Sequence, residues 1–347
     1  MHHAARRKIS VRPPVGVAFA AVFLVFFFST AIDGKRLRAA DAVPLRYAQA
    51  YSSLRSVFSL PIVIGDRQGF FLREGLDFKV VVPIPGGSDK MIEALHDDTA
   101  DVTHVAAPFL IRAALGGSDA VAVAAEFNNP IYSLVVKPGV RSFADLKGKL
   151  VALADEAGTI TISMRMLLAA HGLGNGDFRV KTIEGTPARF QCLVRGECDA
   201  APLGQPQDFS AVEKGCRVLG LSTEVVPELL YTVTAARRSW GEAHKDALVR
   251  YARGLAGSFR FIRDPANRRV VVKAVVEATD ATTAAAEQSL KLFFEPERGV
   301  LPKQGEINAK GLARVIEYMG QAGTLKKPLP PAERFVDLRY LAAAGIQ

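Results

Sequence analysis

Residues 142–170 read SFADLKGKLVALADEAGTITISMRMLLAA and contain the pattern that decides the fold. The short apolar run at 150–154 is predicted to be a buried strand, and residues 159–171 are predicted to be a helix. The loop between them carries glycine and hydroxyl residues, but no Gly-Lys-Ser/Thr follows, so the segment is not a phosphate-binding P-loop. A strand followed by a loop and a helix is the unit from which parallel sheets are built.

The same alternation of strands and helices extends in both directions along the chain. Further strands, with helices between them, are predicted at 44–50, 76–83, 100–107, 119–127, 178–184, 198–204 and 216–222. Two extended passages, 128–136 and 228–236, have no helix before them, and the rest of the chain is predicted to be helical. The pattern predicts an α/β fold with parallel sheets, in which the chain crosses twice between two lobes and ends in a helical C-terminal region. Lobe 1 is expected to comprise residues 43–130 and 232–347, and lobe 2 residues 131–231.

Composition and charge indicate an ordinary globular protein. The 347 residues are enough for two domains, and 49% hydrophobic with 23% charged residues excludes a disordered chain. The formal net charge is +9, of which residues 1–42 contribute +5 and the remainder +4. Since most of the excess lies in this leader and no basic stripe with interleaved aromatic residues follows, we predict no nucleic-acid partner.

The leader has the features of an export signal. The basic segment ARRKISVRPP (5–14) precedes the uncharged run VGVAFAAVFLVFFFSTAI (15–32), and Ala40-Asp41-Ala42 is a small-x-small cleavage pattern. We predict a signal peptide at 1–42, a mature start near Val43 and a periplasmic location. An uncleaved N-terminal anchor is the alternative, because 18 apolar residues are just enough to span a bilayer.

The cysteines and histidines indicate neither a disulfide framework nor a metal or catalytic site. Cys192, Cys198 and Cys216 are expected to be small buried residues, with a Cys198–Cys216 bridge as the alternative. His96, His104, His171 and His244 are isolated from one another, and no HExxH, GxSxG or CxxC pattern occurs. We therefore expect no enzyme activity, no cofactor and no metal.

Four segments of the sequence resemble a known family. They are GFFLREGLDFKVV (69–81), MIEALHDDTADVTHVAAP (91–108), SFADLKGKLVALADEAGT (142–159) and LVRGECDAAPLGQP (193–206). Their order resembles the periplasmic solute-binding proteins of nitrate-, sulfonate- and taurine-type ABC importers, although HDDTAD (96–101) replaces the family's usual glycine-bearing turn. The resemblance implies a two-lobed type II periplasmic-binding-protein clamshell that closes on a ligand.

The strand-to-helix junctions are the expected ligand site. In open α/β sheets, ligands bind beyond the carboxyl ends of the strands, where helix N-termini favour anions. In lobe 1 the candidate ligand-binding residues are Tyr51, Ser52, Ser53, Arg55, Gly87, Ser88, Pro108, Phe109 and, at the crossing, Asn129. In lobe 2 they are Gly158, Thr159, Thr161, Thr186, Arg189 and Gln205. The alternatives are ordinary helix caps for the hydroxyl residues, an ion pair with Glu184 or another surface acid for Arg189, and a left-handed turn for Asn129.

The function expected from these observations is solute capture for an ABC importer. The expected ligand is a small organic anion such as a sulfonate or carboxylate, and Tyr51, Phe58 and Phe109 favour one larger than nitrate. The expected partner is an ABC permease in the inner membrane, and the protein is expected to be a monomer. The alternatives are a membrane-anchored ligand-sensing module and a biosynthetic enzyme of the same fold.

Overall fold

The computed structural model describes residues 42–81, 87–156, 158–294 and 299–347. Within these ranges ten strands form two sheets of five. The strands are β1 Val43–Ala48, β2 Leu76–Val81, β3 Val102–Ala106, β4 Ala120–Phe127, β5 Tyr132–Val136, β6 Leu150–Leu153, β7 Arg179–Thr182, β8 Ala200–Gly204, β9 Arg217–Leu221 and β10 Thr232–Arg237. The order is β2-β1-β3-β10-β4 in the first sheet and β7-β6-β8-β5-β9 in the second. We call the first sheet with its helices lobe 1, and the second lobe 2.

Helices connect the strands and follow them at the C-terminus. The described helices are α1 Tyr51–Leu54, α2 Leu60–Arg67, α3 Phe70–Arg73, α4 Ser88–His96, α5 Ala107–Leu115, α6 Thr159–Ala170, α7 Thr186–Val194, α8 Gln207–Glu213, α9 Arg238–Ala243, α10 Lys245–Arg263, α11 Arg268–Thr279, α12 Thr283–Phe293, α13 Ala309–Gln321 and α14 Arg339–Ala343. Helix α10 packs on α2, α3 and α14, and α13 packs on α5. The two-lobed α/β fold and the helical C-terminal region are therefore confirmed.

The prediction of parallel sheets is wrong for two strands. β1 and β6 each pair in parallel with both of their neighbours, whereas β5 and β10 run antiparallel to both of theirs. Both exceptions enter their sheets directly from a crossing between the lobes. A parallel neighbour in the same sheet needs a crossover, usually a helix, and none precedes these two strands.

The two crossings are short segments. Residues 128–131 join β4 in lobe 1 to β5 in lobe 2, and residues 225–231 lead back to β10 in lobe 1. At the first crossing, the Asn129 side-chain amide donates to the carbonyl of Pro227 in the second, at 2.7 Å. The exact lobe boundaries stay a prediction, because strand membership does not show which residues move together.

The cysteines agree with the expectation of small buried residues. Cys192, Cys198 and Cys216 are all free and buried, so the alternative of a Cys198–Cys216 bridge is wrong. Burial, with a hydrogen bond to Cys192, raises the pKa of the Cys198 thiol, which makes it unreactive at neutral pH. No helix in the described part of the chain is long and apolar enough to cross a membrane. The predicted leader at 1–42 lies almost entirely outside the described residues.

Candidate functional site

A cavity of about 120 Å³ lies between the two lobes. Its walls are formed where β1, β2 and β3 of lobe 1 and β6 and β7 of lobe 2 lead into helices. Residues at the starts of β5 and β10, beside the crossings, complete the wall. The cavity therefore lies at the carboxyl ends of the parallel strands, where this class of sheet binds ligands.

Nine of the residues predicted from the sequence line this cavity. They are Ser52, Ser53, Gly87, Ser88, Phe109, Gly158, Thr159, Thr186 and Arg189. They come from five separate junctions, and the fold brings them together. Whether they contact a ligand stays a prediction.

The structure places the other six predicted residues outside the cavity wall, three of them near the surface or facing another cavity. Tyr51 is 54% exposed, and the neighbouring Arg55 forms an ion pair with Asp280. Pro108 faces a separate small apolar cavity beside Ile162. The fold turns these three side chains away from the expected ligand position.

The remaining three predicted residues are buried in the protein. Asn129 bonds across the crossings, and the side-chain amide of Gln205 donates to Asp208 at 2.9 Å. Thr161, in the first turn of α6, is fully buried and does not line the cavity. None of these three residues lines the cavity, and whether they contact a ligand stays a prediction.

Several cavity residues were missed from the sequence, of which two tyrosines and a histidine are the most informative. Tyr132 and Tyr231 lie at the two crossings, and their hydroxyl oxygens are 3.0 Å apart. Phe58 packs against both rings, with centroid distances of 5.9 and 5.3 Å. Burial raises the pKa of both tyrosine hydroxyls, so they stay neutral hydrogen-bonding groups at physiological pH. Their position beside the crossings was the signal that would have found them.

Arg189 is the buried cation of the site. Its side chain is 1% exposed, and it donates to the carbonyls of Pro202 at 2.8 Å and Ile183 at 2.9 Å and to the Thr186 hydroxyl at 3.2 Å. These bonds use three of the five guanidinium N–H groups and leave two. No carboxylate in the described residues forms an ion pair with it. Burial lowers the pKa of Arg189, and the nearby Tyr132, Tyr231 and Glu184 partly oppose this effect.

Three helix N-termini add positive potential at the cavity wall. Gly87, Gly158 and Gly185 are the N-cap residues of α4, α6 and α7, and each lines the cavity. Because glycine has no side chain, these N-caps supply no oxygen to the first N–H groups of their helices. α6 and α7 also have no acidic residue in their first turn. Uncapped N–H groups and the helix dipoles favour an anion here.

Buried hydroxyls with no partner point to the same chemistry. The Oγ1 atoms of Thr159 and Thr232 are buried at the cavity wall and have no hydrogen-bond partner among the described residues. A buried polar group without a partner costs about 1–3 kcal/mol. Both hydroxyls can donate to an anion bound in the cavity.

Two carboxylates also line the cavity and limit its positive potential. Asp155 forms an ion pair with Arg112 of lobe 1, with 3.8 Å between Nη1 and Oδ1. Glu184 is exposed to solvent, so its charge is largely screened. Arg189 is buried, so its charge is screened less than the charges of these two carboxylates. The cavity therefore still favours an anion.

Replacing Thr159 with valine is expected to stabilise the ligand-free protein and weaken anion binding. Valine has the shape of threonine but removes a buried hydroxyl with no partner, which we expect to raise the free energy of unfolding by ~1 kcal/mol. The lost hydrogen bond to an anion is expected to lower affinity about tenfold. Thermal unfolding and calorimetric titration with ethanesulfonate measure the two effects.

Thr161 provides the matched control for this prediction. Its hydroxyl is also buried with no partner among the described residues, it lies on the same helix, and it does not line the cavity. Thr161→Val should therefore stabilise the protein without changing affinity. Equal affinities for both variants would contradict a role for the Thr159 hydroxyl.

The lobes touch each other around the cavity. A Cβ atom added at Gly185 of lobe 2 would lie 2.8 Å from Cβ of Ser52 in lobe 1. One added at Gly158 would lie 3.5 Å from the ring of Phe109 in lobe 1. Further out, the hydroxyl of Thr282 in lobe 1 donates to Glu213 in lobe 2 at 3.2 Å. Residues of both lobes thus meet beside the cavity.

The comparison with known families agrees with this architecture. Residues 54–276, more than half of the chain, match the model of the NMT1-like family. The chain belongs to the NMT1-like family. No curated protein sequence matches the chain.

Solved structures of solute-binding proteins share the fold of this family member. The ligand-binding component of an ABC-type import system from Staphylococcus aureus, solved with zinc bound, matches with a TM-score of 0.71 and 13% identity, over 88% of this chain and 99% of that one. The periplasmic aliphatic sulphonate-binding protein of Escherichia coli matches at 0.67 and 17%, over 86% and 99%. The periplasmic nitrate-binding protein of Synechocystis PCC 6803 matches at 0.69 and 12%, over 88% and 86%.

These structural similarities show a shared fold. The two-lobed type II periplasmic-binding-protein fold is confirmed, and so is the resemblance seen in the sequence, at the level of family and fold. At identities below 20% the ligand of a neighbour does not transfer to this NMT1-like chain. Within the described ranges, no group of three or more His, Cys, Asp or Glu side chains is placed to hold a metal ion.

Proposed function

We propose that this protein is the extracytoplasmic solute-binding protein of an ABC importer and captures a small organic anion between its lobes. One observation carries the proposal: Arg189 is buried at the interlobe cavity without a carboxylate partner in the described structure. A buried charge costs several kcal/mol unless it is paired. A bound anion supplies the missing pair and accepts from the two unused N–H groups.

Capture works by differential contact with the two lobes. Arg189, Thr159 and the starts of α6 and α7 belong to lobe 2, whereas Ser52, Ser53 and Thr232 belong to lobe 1. An anion that contacts both sets stabilises the closed arrangement over an open one. The lobes move about the two crossings, and the surfaces beside the cleft dock on the permease.

The cavity sets the size and polarity of the ligand. A cavity of about 120 Å³ is slightly smaller than the engineered 150 Å³ cavity that accommodates benzene, so only a few heavy atoms fit. Phe58, Met91 and Phe109 provide apolar walls beside the polar groups. A sulfonate or carboxylate with a short apolar part matches both features, and it is larger than nitrate.

The location and the anchoring of the protein are part of this proposal. The leader predicts export to the periplasm, with the permease in the inner membrane as partner. A leader that stays attached would leave the protein anchored, as in the sensing alternative. N-terminal sequencing of the exported protein distinguishes the two cases. We propose binding and release of the anion without a chemical reaction.

A thermal-shift screen tests the proposed function. The purified mature protein is mixed with ethanesulfonate, propionate, benzoate, nitrate and, as cations, ethylammonium and choline. An anion present at 100 times its Kd should stabilise the protein by ~2.7 kcal/mol, which raises Tm by several degrees. Native mass spectrometry then shows whether one anion binds per chain. Stabilisation by the cations alone would refute the proposal.

A further inference from the structure

A buried carboxylate in lobe 1 holds the cavity residue His104. Glu126 on β4 is fully buried, and its carboxylate lies 2.7 Å from Nδ1 of His104. It also accepts from the Tyr47 hydroxyl at 3.0 Å and from the Thr234 hydroxyl at 2.7 Å. Three donors around one carboxylate are what an ionised carboxylate needs in the protein interior. The imidazole therefore carries a hydrogen on Nδ1 and donates it to Glu126.

The second nitrogen of His104 is available to the cavity. His104 is 5% exposed and lines the cavity, and Nε2 has no hydrogen-bond partner among the described residues. With Nδ1–H bonded to Glu126, neutral His104 presents a lone pair at Nε2, and protonated His104 presents an N–H donor. Only the protonated form can donate to an anion from Nε2.

The negative charge of Glu126 favours the protonated form of His104, and an anion bound at Nε2 favours that form further. Besides His104, the groups bonded around Glu126 are Tyr47, Thr234 and, through Thr234, Tyr251 at 2.7 Å. Burial raises the pKa of both tyrosine hydroxyls, so they stay neutral, and a hydroxyl group supplies no positive charge to balance Glu126. Among the described residues bonded to Glu126, His104 alone can neutralise it by taking up a proton.

We propose that binding of the anion is coupled to protonation of His104, whose Nε2–H then donates to the anion from lobe 1 while Arg189 holds it from lobe 2. The inference rests on the proposed function and deepens it. The other titratable groups on the cavity wall are Asp155, Glu184, Tyr132 and Tyr231. The proton comes from the solvent, so each binding event takes up as much as one proton. The bound anion thereby joins charged groups of both lobes.

Because the bound state holds more protons than the free state, affinity increases as the pH falls. On the alkaline side the Kd should rise by up to tenfold per pH unit. Ethanesulfonate is a suitable probe because a sulfonate does not itself titrate near neutral pH.

Calorimetric titration of the wild-type protein tests the coupling without any substitution. Ethanesulfonate, or propionate if ethanesulfonate does not bind, is titrated between pH 6 and 8.5 in bis-Tris and in Tris. Both buffers are amines, so neither adds an organic anion that would compete for the site. The observed enthalpies should differ between the buffers in proportion to the protons taken up, approaching one per site at the alkaline end. Equal enthalpies together with a Kd that is independent of pH would overturn the inference and leave the proposed function standing.

Two variants assign the proton to this residue. His104→Gln keeps a side-chain amide near the position of the imidazole and should abolish proton uptake. His96→Gln, on the surface of the same lobe, should behave as the wild type. Unchanged proton uptake in His104→Gln would place the titrating group elsewhere and refute the inference. If neither anion binds the wild type at any pH, the proposed function fails and the inference fails with it.

Discussion

Replacing Arg189 with methionine is expected to lower anion affinity by about 30- to 5,000-fold, which corresponds to 2–5 kcal/mol for the loss of one partner of a buried charge pair. Methionine fills much of the same volume, so the cavity wall is retained. The bound anion would then be buried without its counter-charge, whereas the helix N-termini provide only partial charges. Calorimetric titration with ethanesulfonate or propionate gives the affinity.

The ligand-free stability of this variant is a separate measurement. Removing the guanidinium relieves the cost of a buried charge, but leaves the carbonyls of Ile183 and Pro202 without their donor. These terms oppose each other, so we expect the free energy of unfolding to change less than the affinity. Denaturant titration of the ligand-free variant measures it.

Two controls isolate the charge. Arg195→Met alters an exposed arginine at the C-terminal end of the same helix and should leave affinity unchanged. Arg189→Lys keeps a positive charge but loses the forked donor geometry, so it should bind with intermediate affinity. Wild-type affinity in Arg189→Met, with the fold intact by circular dichroism, would contradict the proposed anion site.

The second large effect is expected where the lobes touch. Gly185→Ala should lower anion affinity about 5- to 150-fold, because overpacking typically costs 1–3 kcal/mol and here acts only on the closed arrangement. The new Cβ would lie 2.8 Å from Cβ of Ser52, too close for two carbon atoms. Calorimetric titration and small-angle scattering, with and without ethanesulfonate, measure affinity and closure.

Backbone strain has to be separated from the contact between lobes. Gly185 has φ +77°, a conformation that costs an alanine about 1–2 kcal/mol irrespective of its neighbours. Gly196 has φ +70° with no atom within 4 Å of an added Cβ, so Gly196→Ala carries the strain alone. Both variants should lose similar stability, and only Gly185→Ala should lose affinity.

A compensating substitution completes the test. In Gly185→Ala combined with Ser52→Gly, the clashing Cβ of residue 52 is absent, and closure should recover. Ser52 also lines the cavity, so Ser52→Gly alone must be measured as the reference. Failure of the double variant to bind better than Gly185→Ala would show that the clash does not control closure.

Much of the candidate site followed from the sequence, because strand-to-helix junctions are local features. Ser52, Ser88, Thr159 and Thr186 each stand where a predicted strand leads into a predicted helix, and the fold places all four at one cavity. Tyr51 stands at such a junction too, but its side chain is exposed. Spacing along the chain indicates the junction and does not indicate which neighbouring side chain faces the ligand.

The groups missed from the sequence are those whose role depends on distant partners. His104 gains its role from Glu126, which is 22 residues away on β4. Tyr47 and Thr234, on two further strands, bond to the same carboxylate. The sequence around Arg189 is equally compatible with a surface ion pair, and its burial and carbonyl partners are features of the tertiary structure. The antiparallel strands β5 and β10 likewise depend on how each crossing enters its sheet.

By itself the sequence determined the alternation of strands and helices, the two crossings, the helical C-terminal region and the hydroxyl-rich helix start at 158–161. Periodicity and turn chemistry act over a few residues, so these features can be deduced locally. Only the tertiary structure decided that Arg189 is a buried cation without a described carboxylate partner, that His104 is held by Glu126, and that Gly185 meets Ser52 across the cleft. Burial, charge compensation and contact between lobes arise from packing of residues far apart in the chain, and no local pattern encodes them.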